Sequence, residues 1–543
     1  MNDSPTYSRR IGRSPHHHPS TTTGEYARTP DNTSILGALK LTGKTSDGWS
    51  VGVMESMTAK EQATIRTESQ SRHETVEPLT NYFLGRLQKE FNEGQTMVGG
   101  IFTATNRKIE ADHLNFLHDQ AYTGGVNFKH RWNDRNYMFA FRGIVSHVRG
   151  SQQAITRTQR SSARYYQRPD APHLNLDSSR TSLSGHGGSM MFAKFGKGHI
   201  RYGLFFNWKS PGLEINDMGY QREADQISEL FWGQYRIWEP FSIFRNLFVN
   251  LNQWRIWDYH ARHLVTGGNI NIHTQFKNYW ELSFGVNTNS PSYSKTALRG
   301  GPMLKEPASL NYWANMETDD RKKLSFGLGN SQSWSRYNHG HHNSIWADIS
   351  YRPHNTLKLT LSPSLNLQQN NMQYVDTKKY NLQDRYIMAS IDRTTLSLSL
   401  RMNFSLTPNL SLQYWGQPFI ATGNYSDFKR ITSPDAKGYQ QRFQTFSEDQ
   451  ITLQDKEYTI DENRDGTMDY TIADPDFNVL QFKSNLVARW EYTPGSTLFL
   501  VWSQNRNGFH PTGRFAFQND FQDLFSIYPQ NVFLVKFTYR LGL

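Results

Sequence analysis

Between Leu396 and Leu406 the chain alternates without a break. Leu396, Leu398, Leu400, Met402, Phe404 and Leu406 take one parity, and Ser397, Ser399, Arg401, Asn403 and Ser405 the other. A period of two belongs to a β-strand with one apolar and one polar face. Thr407-Pro408-Asn409 then supplies turn chemistry, and Leu410, Leu412 and Tyr414 alternate with Ser411, Gln413 and Trp415, so the two runs form a tight hairpin. The grammar returns downstream. Leu480, Phe482, Leu486, Ala488, Trp490 and Tyr492 oppose Gln481, Lys483, Asn485 and Arg489, and Thr493-Pro494-Gly495 leads into Leu498, Leu500 and Trp502. A chain written this way is all-β.

Short turns recur at Ser46-Asp47-Gly48, Asn92-Glu93-Gly94, Asn133-Asp134, Lys197-Gly198, Lys277-Asn278, Asp319-Asp320 and Pro353-His354-Asn355, with an apolar turn near Pro240 to Asn246. The alternate connections are long and polar: Ala59 to Pro78, Arg149 to Gly185, and the longest, Thr422 to Asn478. Such asymmetry is that of bacterial outer-membrane barrels, with short turns periplasmic and long loops outside. Periodicity gives roughly 21 strands, starting at Asn32 and closing on the alternating segment Asn531 to Leu543. The expected fold is a large antiparallel transmembrane β-barrel of about 22–24 strands when complete, since such barrels usually have an even number. Residues 1–31 read as an irregular basic segment in the lumen or a loop, and 32–543 as the barrel, carrying the external loop 422–478. Met1 to Pro30 contain no apolar signal-peptide core, so an N-terminally incomplete chain is expected.

Composition agrees once the fold is considered. The 543 residues have a mean hydropathy of -0.71 and no cysteine, yet include 14 Trp, 27 Tyr and 33 Phe, too many for a disordered chain. No run of 18 apolar residues occurs, which excludes membrane-spanning helices but not a barrel, where only every second strand residue meets lipid. Aromatics gather beside short turns, as at Trp132 and Tyr137, Tyr279-Trp280, and Trp490 and Tyr492, in the manner of an interfacial girdle. The net charge of +11 is scattered along strands rather than clustered, so it reads as lumen and lipopolysaccharide-facing charge and not as a nucleic-acid surface.

Few residues suggest chemistry. Asp461-Glu462-Asn463-Arg464-Asp465-Gly466-Thr467-Met468-Asp469 resembles the opening of a calcium loop, with Asp461, Asn463, Asp465 and Asp469 as oxygen ligands, although Ile472 stands where an EF-hand has glutamate. Either a structural calcium ion there, recruiting a further group such as Asp474 or Asp476, staples the long loop, or the motif is an acidic solvated turn. His16-His17-His18 and His339-Gly340-His341-His342 could hold a transition metal but have no carboxylate close in sequence, and read as polar loop histidines. Ser184-Gly185-His186-Gly187-Gly188-Ser189 lacks the setting of a nucleophile elbow and reads as a flexible loop entering a strand. Arg9, Arg10 and Arg13, beside Tyr7, are either an anion-binding element inside the pore or a solvated basic segment. Arg401, Lys483 and Arg489 are further lumen-facing cations on strands. No catalytic constellation is identified.

Four strings, Tyr7 to Arg13, Ile35 to Thr45, Glu77 to Tyr82 and Ser484 to Tyr492, resemble a family of envelope proteins catalogued as a domain of unknown function. The resemblance implies a signal peptide, then a periplasmic sandwich similar to family 9 carbohydrate-binding modules, then a large barrel, of which this chain matches the barrel from near Tyr7 onward. It carries no catalytic residues over, and carbohydrate binding would belong to the sandwich. The expected function is binding or passage of a ligand, such as a glycan, across the outer membrane. The alternatives are an outer-membrane hydrolase acting on carbohydrate and a structural anchor. The expected partners are outer-membrane lipid and lipopolysaccharide, the barrel-assembly machinery and glycans.

Overall fold

A computed structural model describes residues 4–540. Twenty-one strands of nine or more residues run from Ile35–Lys44 to Gln530–Thr538, beside two helices, α1 (Gln152–Gln159) and α2 (Phe517–Ser526). The protein is all-β, built on a large antiparallel sheet. Two compact units divide it, one made of Met1–Gly233, Asn252–Thr266 and Tyr293–Met303, the other of Gln234–Leu251, Gly267–Ser292 and Leu304–Leu543.

In the first unit the strands from Ile35–Lys44 to Ile200–Lys209 pair each with the next long strand in sequence. The turns are those expected from sequence. Asn133, Asp134 and Arg135 close one of them with φ of 51, 53 and 63°, a left-handed run that Asn and Asp tolerate better than most residues. Directly opposed residues of an antiparallel ladder share a face, so rows can be followed across strands. Trp49, Lys89, Val98, Phe128, Phe141, Met190 and Phe206 form one row. One residue along, Ser50, Gln88, Gly99, Asn127, Arg142, Ser189 and Asn207 form the next, on the opposite face. One face is apolar and the other polar.

Away from the short turns, the polar face is covered by the chain itself. Its row Ser56, Tyr82, Thr105, Ala121, Val148 and Leu183 is buried throughout. Ala121, Val148 and Leu183 pack with Ile155 of α1 and with Tyr166, Ala171 and Leu174, inside the stretch expected to be a polar loop. The glycines of Ser184 to Ser189 serve this packing. A Cβ on Gly185 would lie 2.0 Å from the Leu213 nitrogen, and one on Gly188 would lie 2.5 Å from the Trp208 ring. The segment is therefore part of the strand Ser182–Lys194, correcting the flexible-loop reading. Likewise Ala59 to Pro78 is not loop but two strands, Glu61–Arg66 and Ser71–Glu77, which pair with each other, Glu61–Arg66 also pairing with Tyr26–Arg28 of the N-terminal segment.

In the second unit the long strands pair in sequence order as far as Gln530–Thr538. Leu324, Tyr351, Leu359, Met402, Tyr414, Leu486, Trp502 and Phe533 make one row across eight strands. On the opposite face Ser325, Ser350, Thr360, Arg401, Trp415, Asn485, Ser503 and Val532 make another. Leu400 shares the apolar face with Leu361, Ile349 and Phe326, as its alternation requires. Lys483 and Arg489 share the parity of Asn485, hence the face of Arg401. The strand after Leu410 runs on to Ile431, past the expected loop start at Thr422. The rest of that loop folds into a small sheet of Ile451–Gln454, Glu457–Ile460 and Tyr470–Ala473, which buries Phe446, Ile460, Tyr470 and Ile472 against Ile387, Ala389 and Phe428. At the C-terminus, alternation becomes strand as far as Thr538, and Leu541 to Leu543 lie outside the described residues.

Candidate functional site

The covered polar face of the first unit encloses a cavity of about 560 Å³. Three layers build it. Strand residues Tyr82 and Arg107 and the strand-leading His118 form one wall, the N-terminal residues Arg10, Arg13 and His16 a second, and α1 with the segment 210–225 the third. Helix α1 begins where Ser151 accepts the Ala154 N–H at its N-cap; Thr158 is buried beneath it, and the exposed Arg157 lies at the cavity rim.

At the base, Asp217 joins two strands. Its Oδ1 accepts from Arg107 Nη1 at 2.6 Å and its Oδ2 from His118 Nδ1 at 2.8 Å, while His118 Nε2 lies 2.7 Å from Thr158 Oγ1. Burial works to raise the Asp217 carboxyl, but the His118 and Arg107 charges outweigh it and hold the group far below the ordinary carboxylate range. Glu214 accepts from Arg164 Nη2 at 2.8 Å and from the Asn216 N–H at 2.7 Å. His16 donates toward Glu77 at 2.7 Å, and burial lowers its proton affinity against that pull.

The chain of Asp217, His118 and Thr158 has the order of a nucleophile triad but not its freedom. Thr158 Oγ1 donates to the Ala154 carbonyl at 3.0 Å inside α1, and both ring nitrogens of His118 face protein partners. A base needs a nitrogen that substrate can reach. What the arrangement can do is hold and orient charge.

Of the sequence candidates, Arg10 and Arg13 line the cavity, whereas Arg9 is exposed and does not. Arg10 donates to the Gly219 carbonyl at 3.1 Å and to Asn216 Oδ1 at 3.2 Å. Burial and then the Arg13 charge lower its proton affinity from the ordinary value. Arg401, Lys483 and Arg489 lie on the polar face of the second unit; Arg489 pairs with Glu491 at 2.7 Å. In the turn expected to bind calcium, Asp461 accepts from the Gly466 and Asp465 N–H groups, Asp469 from Glu462 N–H, and Asp465 from Thr467 N–H. The turn is organised from within by its own backbone donors. Among the described residues, three metal-ligand side chains gather within 4.8 Å in two places, His17 with Glu74 and His113, and His173 with Asp225 and Asp258. The carboxylates that His16 and His17 lack nearby in sequence are thus supplied in space by Glu77 and Glu74. His339 packs on Tyr439, its Nδ1 3.1 Å from the hydroxyl.

Arg107, His118, Glu214 and Asp217 were invisible to sequence reading. Asp217 stands 110 residues from Arg107 and 99 from His118, so no local spacing marks them.

Fold and site together define an all-β protein with a two-faced antiparallel sheet whose polar face holds a basic cavity. The chain belongs to the family described as Domain of unknown function (DUF5916), whose model matches residues 6–542. No curated protein matches it.

Proposed function

We propose that this chain is an outer-membrane β-barrel that binds a ligand, such as a glycan, on its polar inner face and holds it for passage or retention. The observation carrying this reading is the pair of adjacent cross-strand rows in each unit. Leu324, Tyr351, Trp502 and Phe533 in one such row are each more than a third exposed, as are Trp49, Val98, Met190 and Phe206 in another. Water does not favour contiguous exposed apolar surface of this extent, and a lipid core does. Every backbone group inside that core must then be paired, which favours closing the sheet into a barrel. Outer-membrane lipid and lipopolysaccharide would meet the apolar rows, and barrel-assembly machinery would insert the chain.

The covered polar face of the first unit favours a bound ligand over free diffusion through an open pore. A structural anchor would also have a covered face, so conductance separates the two. The alternative of a hydrolase acting on carbohydrate would need a pair of available carboxyl groups, and the two that line the cavity, Asp217 and Glu214, are committed to Arg107, His118 and Arg164.

The test is fractionation followed by bilayer recording. Expected results are recovery with outer membranes, a mobility shift on heating in detergent gels, and single-channel conductance that oligosaccharides alter. Recovery as a soluble protein without detergent would sink the proposal. Insertion with no conductance and no oligosaccharide effect would leave the anchor reading.

A further inference from the structure

We propose that the cavity of the first unit binds its ligand through an anionic group, a phosphate or carboxylate carried on a molecule the size of a sugar. This rests on the cavity being a ligand site; it needs no assumption about membrane insertion.

The argument begins with the charge balance of the walls. The two carboxylates that line the cavity are already neutralised, Asp217 by Arg107 and His118 and Glu214 by Arg164. Four more guanidinium groups line it, those of Arg10, Arg13, Arg157 and Arg222. Among the described residues none of these four has a carboxylate within ion-pair distance. Arg10 donates only to neutral oxygens of Gly219 and Asn216, Arg13 donates to the Ser14 carbonyl at 3.3 Å, and Arg157 lies 4.5 Å over the Phe116 ring. Arg10 and Arg13 are half-buried in the site and Arg157 and Arg222 stand exposed at its rim, so four cations surround it with no carboxylate among the described residues in contact with any of them. Such an arrangement costs free energy unless something anionic relieves it.

Unused hydrogen-bonding capacity is the second, independent observation. Arg107 is only 8% exposed and its Nε has no protein partner, although its Nη1 is committed to Asp217 and the His118 carbonyl. Gln221, 5% exposed, has an unpartnered Oε1, and Ser161 Oγ is likewise unpartnered. All three residues line the same cavity. Buried polar groups are nearly always satisfied, so unmet donors and acceptors around one cavity mark where a ligand or its water sits.

Residue type narrows the class. Arginine presents a planar fork that grips phosphate or carboxylate with two parallel hydrogen bonds, whereas a neutral sugar offers hydroxyls that leave the charge unmatched. The Gln221 amide oxygen, accepting from a hydroxyl, suits the remainder of such a ligand. The volume of about 560 Å³ falls within the range of small-ligand sites and admits a phosphorylated or carboxylated sugar, not a polymer segment of many residues.

The test is calorimetric titration of the full chain in detergent with glucose 6-phosphate, glucuronate, inorganic phosphate and glucose. Binding of either charged sugar, tighter than glucose and weakened by added salt, is expected. Arg157→Gln and Arg222→Gln should each weaken it about tenfold, the loss of one charge-assisted hydrogen bond, while Arg9→Gln should leave it unchanged. A tryptophan emission spectrum and thermal unfolding midpoint unchanged from the parent confirm that each variant folds. Tighter binding of the phosphate or of the carboxylate form identifies the source of the anion. If glucose binds as tightly as the charged sugars, the anionic class is wrong and the ligand site stands. Phosphate binding that ignores both Arg157→Gln and Arg222→Gln marks an adventitious ion only and overturns the proposal. If no probe binds, the ligand-site reading falls with it.

Discussion

Asp217 Oδ2 accepts a hydrogen bond from His118 Nδ1 at 2.8 Å across 99 residues of sequence, fastening the segment 210–225 to the polar face of the sheet. The same carboxylate holds the buried Arg107, whose side chain is 3% exposed. Removing the shared acceptor would strand a buried guanidinium. Asp217→Asn should therefore cost about 3–5 kcal/mol, typical of breaking one side of a buried ion pair. Limited proteolysis should show new cleavage within 151–225 while the long strands stay protected. Unchanged cleavage would mean that apolar packing of Ile155, Tyr166 and Leu174 alone holds the covering segment.

The contrast between this cluster and the strands explains what a sequence can disclose. The alternation of Leu396 to Leu406 is local, and the ladder places Leu400 with Leu361 and Arg401 with Thr360 as that pattern requires. Turn residues are local too, and each short turn falls between two long strands. Arg107, His118 and Asp217 meet only because three separate segments close over the sheet, a long-range outcome with no spacing to read. Helix α2 is an intermediate case. Phe517, Phe521 and Phe525 stand four apart, a helical period legible in the sequence, and their rings meet in tilted contacts at 5.8 and 4.9 Å. Its partners Ile420, Leu480 and Phe482 sit on other strands, and only the structure supplies them. The small sheet within 422–478 escapes sequence reading for a physical reason as well, since short strands such as Glu457–Ile460 carry too few residues for a convincing period.

The faces assigned to the strands make a direct comparison possible. Leu400 lies in the apolar set with Leu361, and Asn403, opposite Lys358 and Gln413, in the polar one. Leu400→Arg in lipid should destabilise the protein by roughly 2–4 kcal/mol if it lies near mid-membrane, and Asn403→Ser by much less. Denaturant titration in lipid vesicles measures both. Equal losses would contradict the two-faced reading of the sheet.

Acid should loosen one contact in the second unit. Burial, and then the Arg442 and Lys429 charges, push His339 down to about 4, so it is neutral where it packs on Tyr439. Unfolded, the ring titrates near the ordinary 6.5. The folded state thus binds fewer protons between those values, and stability present above about pH 6.5 is lost as pH falls toward 4, by up to about 3 kcal/mol. Hydrogen-exchange protection factors of residues 439–445, which correct for the base catalysis of exchange, should fall at pH 5 relative to pH 7.5. His339→Phe, which cannot charge, should flatten that response, and a response that survives the substitution would place the titrating group elsewhere.

The turn Asp461 to Asp469 offers the sharpest separation between an ion and the chain's own hydrogen bonds. Its oxygens come from Asp461, Asn463, Asp465 and Asp469, a hard donor set of the kind calcium takes, within a loop whose apolar core already includes Ile460, Tyr470 and Ile472. That core can order the small sheet without an ion, so any effect of calcium should be confined to the turn. Asp465 shows how the two compete: its Oδ1 accepts the Thr467 N–H at 2.9 Å, and its Oδ2 accepts from Asn463 Nδ2 at 2.8 Å. A bound calcium would have to draw these oxygens from donors that already satisfy them, giving weak affinity. The proposal is that calcium slows cleavage within 461–469 of the detergent-purified protein, and that chelator and Asp465→Ala each abolish the slowing. Ile460→Ala, by contrast, should open the whole stretch 446–473 at any calcium concentration, since a buried Ile to Ala change costs about 2–5 kcal/mol. Equal cleavage of the turn with calcium, with chelator and in Asp465→Ala would leave the backbone hydrogen bonds as its sole organiser.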